Sequence, residues 1–321
     1  MGAALRTYRR RITATQSTKK ITKAMELIAA SRIAKAQQRM NSARPYATEL
    51  RHALAELASD KSLKHPMLTG VDNPRRAGIL LVTSDRGLAG GYNANALRRA
   101  NELADQLAGQ GKEVERYVIG RKGAAYYNFR RIELAGVWTG FSEQPNFIDA
   151  RGATEAVVAA LEATAEGTIS GGERDGRPGI DELWVVYTRF VNSVTQSPVA
   201  VQVSPVNAAT DGEAADSPAE PETDSADDRS VLYEFEPEPA RLIGALLPRY
   251  ISSRIFSALL ESAASESAAR RRAMKSASDN ATDLIKTFTR LANEARQAEI
   301  TQEISEIVGG ADALASSGAE E

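Results

Sequence analysis

The sequence predicts a central α/β domain carried on a coiled coil, with the coil built from two long helices at opposite ends of the chain. Three observations predict it. A helical run begins near Glu238 and closes only at about residue 315. At about 1.5 Å per residue it reaches on the order of 110 Å, against about 11–12 residues for an ordinary globular helix. A second long helical pattern fills the N-terminus. Between the two, short apolar runs alternate with helical patterns, as in a parallel or mixed sheet covered by helices.

The N-terminal helix is predicted over residues 1–58. Leu5, Tyr8 and Ile12, then Ala24 and Ile28, recur at helical steps. Pro45 predicts a kink or break, because proline lacks an N–H and crowds the preceding turn. Loop residues gather from Ser59 to Pro74. The central domain, residues 75–206, opens with the apolar run Ala77–Ser84, read as a buried strand. A glycine-rich turn and a helix over Asn95–Leu107 follow. Val114–Gly120 is a second strand, and GAAYYNF opens a second helix. A third helix is expected over Phe147–Ala165, and further strands over Asp181–Phe190 and Pro198–Val206.

Two segments lack core-forming pattern. Residues 167–179 (GTISGGERDGRPG) predict a surface insertion, a loop or small hairpin. Residues 207–230 are rich in Ala, Asp, Glu, Pro and Ser and predict a disordered acidic linker. The C-terminal helix, residues 238–315, has Pro248 near its start as a possible bend. Its seam reads Ala281, Leu284, Phe288, Leu291, Ala295, Ala298 in steps of three and four. A shifted stripe follows: Ile300, Ile304, Ile307, Ala311, Leu314. Such heptad-like stripes pack on a partner helix. Each terminal helix is too thinly apolar to stand alone, so the two are expected to pair antiparallel.

Composition narrows the function classes. With 321 residues the chain suggests about two domains, at roughly 150 residues each. It contains no cysteine, which excludes disulfides, thiolate metal sites, a cysteine nucleophile and a thiol switch. No apolar core follows the basic start, so no signal peptide is expected. No apolar run approaches the ~20 residues that span a bilayer, so membrane association is expected only through partners. Net charge is near zero but uneven. Residues 1–50 carry eleven Lys and Arg against Glu26 and Glu49, and residues 211–228 carry only acidic charge. This asymmetry points to electrostatic partners. Nucleic acid is disfavoured, because no aromatic residues interleave the basic ones as a stacking surface requires.

The turn Asp85–Asn93 follows a strand and precedes a helix, where a phosphate-cradling loop would sit. Gly87, Gly90 and Gly91 do not form G-x-G-x-x-G, no Lys-Ser/Thr follows, and no acidic residue ends the second strand to hold a ribose. A structural turn is the better reading. His52 and His65, the two histidines, have no carboxylate cluster at metal spacing. No catalytic, cofactor or metal set is expected. From the residues alone, the alternative class is a nucleotide-binding α/β enzyme with coiled-coil extensions.

KKITKAMELIAASRIAKAQ (Lys19–Gln37), SDRGLAGGYN (Ser84–Asn93), MKSASDNA (Met274–Ala281) and ARQAEITQEISEIVGGADAL (Ala295–Leu314) resemble, in order, the gamma subunit of the F-type ATP synthase. Residues 167–179 resemble an extra element of its actinobacterial members. The resemblance implies a Rossmann-like central domain and a rotor function without an active site of its own. The coiled coil would stand inside a hexamer of alpha and beta subunits. The α/β domain would rest on the c-subunit ring and hold the epsilon subunit, at the cytoplasmic face of the cell membrane as a peripheral protein. Ring rotation would drive the beta sites through the states that make ATP. The resemblance also implies contacts. Met25 matches a position near an acidic loop of beta. Arg296 and Gln297 match a pair that hydrogen-bonds a beta loop, and Thr301, Glu306 and Arg270 match positions that influence coupling. Phe235 and Glu236, in YEFEPEP, match the foot that meets the c ring.

Overall fold

The computed structural model describes residues 3–59, 65–171, 175–206 and 239–317. The acidic segment 207–230, Phe235 and Glu236 lie outside the described residues. The elements run α1 (Ala3–Ser59), α2 (Pro66–Thr69), β1 (Arg76–Val82), α3 (Tyr92–Gly109), β2 (Glu113–Ile119), α4 (Arg121–Phe129), β3 (Gly136–Trp138), α5 (Phe147–Ala163), β4 (Glu182–Phe190), β5 (Gln196–Ser204) and α6 (Pro239–Ser317). The chain forms two compact units, one of residues 1–28 and 271–321 and the other of residues 29–270.

In the larger unit the five strands make one sheet in the order β3-β2-β1-β4-β5. All neighbours are parallel except β4 and β5, which are antiparallel. A central parallel strand is covered on both faces and therefore reads as a continuous apolar run, and β1 is buried from Ala77 to Val82. Side chains alternate between two cores. Ile79, Leu81, Val118 and Val186 pack with Ala96, Leu103 and Leu107 of α3 and Tyr127 of α4. Leu80, Val82, Ile119 and Val185 pack on the opposite side with Ala153 and Val157 of α5, Leu50 and Leu54 of α1, and Leu247, Ile251 and Ile255 of α6.

β3 was not expected. Its three residues pair Val137 with Val118, and they are too few to show the two-residue period of a strand. α5 ends at Ala163 rather than Ala165, because Thr164 takes a positive φ of 52° and its N–H turns back to Leu161 O. Within 167–179, Thr168 and Pro178 form an antiparallel bridge and Ile169 is buried in the core. Asp181 fastens the start of β4: its carboxylate accepts from the N–H groups of Arg75, Arg76 and Ala165.

Of the kink or break expected at Pro45, the break is absent: α1 continues through it, and α6 likewise continues through Pro248. A helix-interior proline costs about 3 kcal/mol or more. Around Pro45 the packing of Ile33 and Ala36 on one side and Leu50, Leu54 and Leu57 on the other offsets that cost.

In the smaller unit the two helix segments are antiparallel. Thr22 and Ser278 share a hydrogen bond of 2.7 Å between their hydroxyls, and the Arg11 guanidinium lies 5.7 Å from the centre of the Phe288 ring. As the number falls on α1 it rises on α6. Among the described residues no helix is long and apolar enough to cross a membrane.

Candidate functional site

The covered side of α1 is a heptad seam with steps of three and four. Leu5, Tyr8, Ile12, Thr15, Lys19, Thr22, Glu26 and Ala29 are all wholly or partly buried. The covered side of α6 is equally regular: Met274, Ser278, Ala281, Ile285, Phe288, Ala292, Ala295 and Glu299. These seams keep Leu5, Tyr8, Ile12, Ala281, Phe288 and Ala295 of the expected ones and differ at other positions. Ala24, Ile28, Leu284 and Ala298 face outward, and Thr22, Glu26, Ile285 and Ala292 stand in the contact instead. The physical reason is that apolar residues occupy two faces. A count of apolar spacing follows whichever face is richer, and in Lys19–Gln37 that face is the outer one.

That outer face is the candidate site. Ile21 is 61% exposed, with Leu27 and Ile28 also exposed, and Met25 is half-buried beside them. On α6, Ile300, Ile304, Ile307 and Val308 are exposed, Ile307 at 72%. One residue of a helix turns the side chain by about 100°, so Ile300, one residue after the seam position Glu299, starts a stripe rotated away from the seam. Ala311 and Leu314 have side chains outside the described set. Scattered exposed apolar side chains are ordinary, but rows at helical spacing mark surfaces that partners cover.

Arg296, Gln297, Thr301 and Glu306 are all exposed on α6. Arg296 and Gln297 lie one turn before Ile300 and Thr301, on the same side as the apolar stripe. Glu306 falls on a different side, where Gln302 donates to it at 3.0 Å.

Arg270 differs from these. It is buried in the larger unit among groups of its own chain. Its Nη2 donates to Glu266 Oε1 at 2.7 Å and to Gly87 O at 3.2 Å. Its Nη1 stands 3.1 Å from Glu143 Oε1, as an ion pair without hydrogen-bond alignment. Burial pushes the Glu266 carboxyl up to about 7, opposed by Arg270 and reinforced by the charge of Glu143. Tyr92, Thr188 and Ser262 bring further buried hydroxyls, and Tyr92 is pushed upward by the same burial.

The turn Asp85–Asn93 is filled by its own side chains. Asp85 accepts from Arg121 N at the start of α4, from Gly140 N and from Ser142 N. Asn93 Oδ1 accepts from Ser84 N. Gly120, at a φ of 104°, lies so close to β1 that a Cβ would meet Thr83 O at 2.2 Å. A carboxylate therefore sits where a helix N-terminus would otherwise attract a phosphate, which disfavours the nucleotide-binding alternative.

His65 caps α2, its Nδ1 accepting from Met67 N, and burial lowers its pKa. His52 is exposed. A cleft of about 440 Å³ borders α1, β4, β5 and α6 and is lined by Arg44, Arg51, Arg189, Arg254 and Glu261. Each of those arginines is already engaged in an interaction. Among the described residues no group of three His, Asp or Glu could hold a metal ion.

Comparisons with known proteins agree with this arrangement. A family model described as ATP synthase matches residues 4–314. The ATP synthase gamma chain of Frankia casuarinae is 52% identical, over 98% of this chain and 99% of its own. That of Mycolicibacterium smegmatis is 52% identical, over 99% and 100%. Among solved structures, a chain of the Euglena gracilis mitochondrial ATP synthase (OSCP/F1/c-ring) superposes with a TM-score of 0.63 at 17% identity, over 98% of this chain and 95% of that one. A chain of the Tetrahymena thermophila central stalk and c-ring gives 0.54 at 22% identity, over 80% and 99%. At these identities the structural matches speak for the fold.

Proposed function

The chain belongs to the ATP synthase gamma chain family, and from that premise we propose that it is the central rotor shaft of a proton-translocating F-type ATP synthase. It couples rotation of the c-subunit ring to the conformational cycle of the catalytic beta sites. The chain is a non-catalytic subunit, and its work is mechanical. The observation that carries the reading is the pair of outward apolar rows on two helices whose seams already cover each other's inner faces. Such rows suit a surrounding sleeve of alpha and beta subunits.

Within this reading, Met25 meets an acidic loop of beta, with Lys23 and Arg32 on the same basic helix. Arg296 and Gln297 hydrogen-bond a second beta loop; a guanidinium fork can hold a carboxylate through two parallel bonds. Thr301 and Glu306 influence coupling on the same helix, Thr301 from the side of Arg296 and Gln297 and Glu306 from another. The placement of Arg270 favours an internal role in coupling over direct contact with beta. Phe235 and Glu236 meet the c ring, on the strength of the YEFEPEP motif alone. The epsilon subunit binds the α/β domain. The protein is peripheral at the cytoplasmic face of the cell membrane, held there by its partners.

Co-expression with the alpha and beta subunits tests the function. One copy per three alpha–beta pairs by native mass, with ATPase assembly that depends on this chain, is the expected result. Alpha and beta subunits that assemble and turn over equally well without it would refute the rotor reading.

A further inference from the structure

Three arginines from three separate elements converge on one carboxylate, Glu143, in the loop between β3 and α5. Arg32 of α1 bonds Oε2. Arg86, in the turn after β1, stands 3.5 Å from the same oxygen. Arg270 of α6 stands 3.1 Å from Oε1. Arg270 is held from the other side by Glu266 and by the carbonyls of Arg86 and Gly87. The cluster is shielded: the side chains of Arg270, Glu266 and Glu143 are 6%, 1% and 14% exposed.

We infer that Glu143 is a positioning residue that locks α1, α6 and the sheet domain against slipping past one another, so that torque applied to the sheet domain reaches both helices. This rests on the rotor reading. The packing beside the cluster is smooth: Ile33 and Ala36 of α1 meet Ala264 and Ala268 of α6 and Phe190 of β4. Apolar contact of this kind resists separation but is non-directional, so it opposes sliding weakly. The hydrogen-bonded pair of Arg32 with Glu143 is directional and fixes an orientation, and the Arg86 and Arg270 cations hold the same carboxylate by charge. Glutamine at this site keeps the shape, loses the charge, and turns N–H donors toward cations.

The test uses the assembled enzyme in inverted membrane vesicles, with wild-type, Glu143→Gln and Glu143→Asp chains. ATP hydrolysis and ATP-driven acidification are measured on the same vesicles. A role limited to assembly lowers both together. A positioning role separates them: for Glu143→Gln, protons pumped per ATP fall to about half or below while hydrolysis persists, as expected where a shielded pair is broken by removing one partner. Glu143→Asp restores part of the ratio. A wild-type ratio in Glu143→Gln overturns the inference. If that variant does not assemble, Arg32→Gln takes its place with the same two outcomes, since it removes the hydrogen-bonded partner of Glu143 from the other side of the pair. Failure of the rotor reading is distinct, because then the wild-type chain itself supports no pumping.

Discussion

The two compact units are stabilised in opposite ways. The larger unit buries Leu, Ile, Val and Tyr on both faces of a sheet. The smaller unit buries mainly short or polar side chains, Thr22, Ser278, Ala281 and Ala292, with Leu5 and Met274 as the larger apolar ones below a tenth exposed among the described residues. Many of its larger apolar residues, Ile21, Leu27, Ile28, Leu284, Ile300, Ile304 and Ile307, point outward. The first unit is specified by its own core. The second leaves much of its apolar surface exposed, and its seam supplies orientation more than stability.

Leu247→Ala removes a fully buried side chain from the core beneath the sheet. A cost of about 2–5 kcal/mol is expected in denaturant unfolding of the isolated chain. Ala292→Gly, at a buried seam position of the smaller unit, should cost only about 1 kcal/mol from helix propensity. Equal costs would mean that the coiled coil is as tightly packed as the sheet.

The fold was legible where periodicity was strong. β1, β2, β4 and β5 lie within two residues of the expected strands at each end, because buried strands announce themselves as apolar runs. The seam register was not legible in the same way. Leu284 and Ile28 are more hydrophobic than Thr22 and Ser278, yet the threonine and serine occupy the contact, since small side chains let helices approach closely. Counting steps of three and four through Thr15, Lys19, Thr22 and Glu26 would have found it. For Glu143 no signal existed: FSEQPN has no period and no motif, and the arginines that meet it come from residues 32, 86 and 270. The internal environment of Arg270 was hidden for the same reason.

Glu266 separates the units through pH. Its carboxyl is raised to about 7 by burial, and Glu261 is likewise raised to about 7. In the unfolded chain both lose their protons near 4.5. Between those values the folded state binds more protons, so stability is full below about 4.5 and declines as pH rises toward about 7. Thermal unfolding of Glu266→Gln should show a shallower decline over that window than wild type. An unchanged slope would mean that Arg270 keeps Glu266 ionised throughout.

The hydroxyl pair of Thr22 and Ser278 tests the seam directly. Ser278→Ala alone leaves the Thr22 hydroxyl without its cross-helix partner, though still able to reach Lys19 O. A loss of about 1 kcal/mol is expected. Adding Thr22→Val replaces both polar groups by apolar ones of similar shape and should recover most of it. A double variant worse than the single would show that the hydroxyls hold the register as well as satisfy each other.

Arg296→Ala should be the mildest change to the chain and a damaging one to the complex. Arg296 is exposed on a helix, and alanine is the best helix former, so unfolding of the isolated chain should move by no more than about 0.5 kcal/mol. In the assembled enzyme coupled turnover should fall, since the proposed function gives this guanidinium a partner on another subunit. Gln297→Ala should behave the same way with a smaller loss, since a neutral amide makes weaker bonds than a guanidinium. A drop in the stability of the isolated chain with Arg296→Ala would place that residue in the internal packing of the helix pair. The outer faces would then belong to the fold, and the contrast between the units would reduce to one of core size.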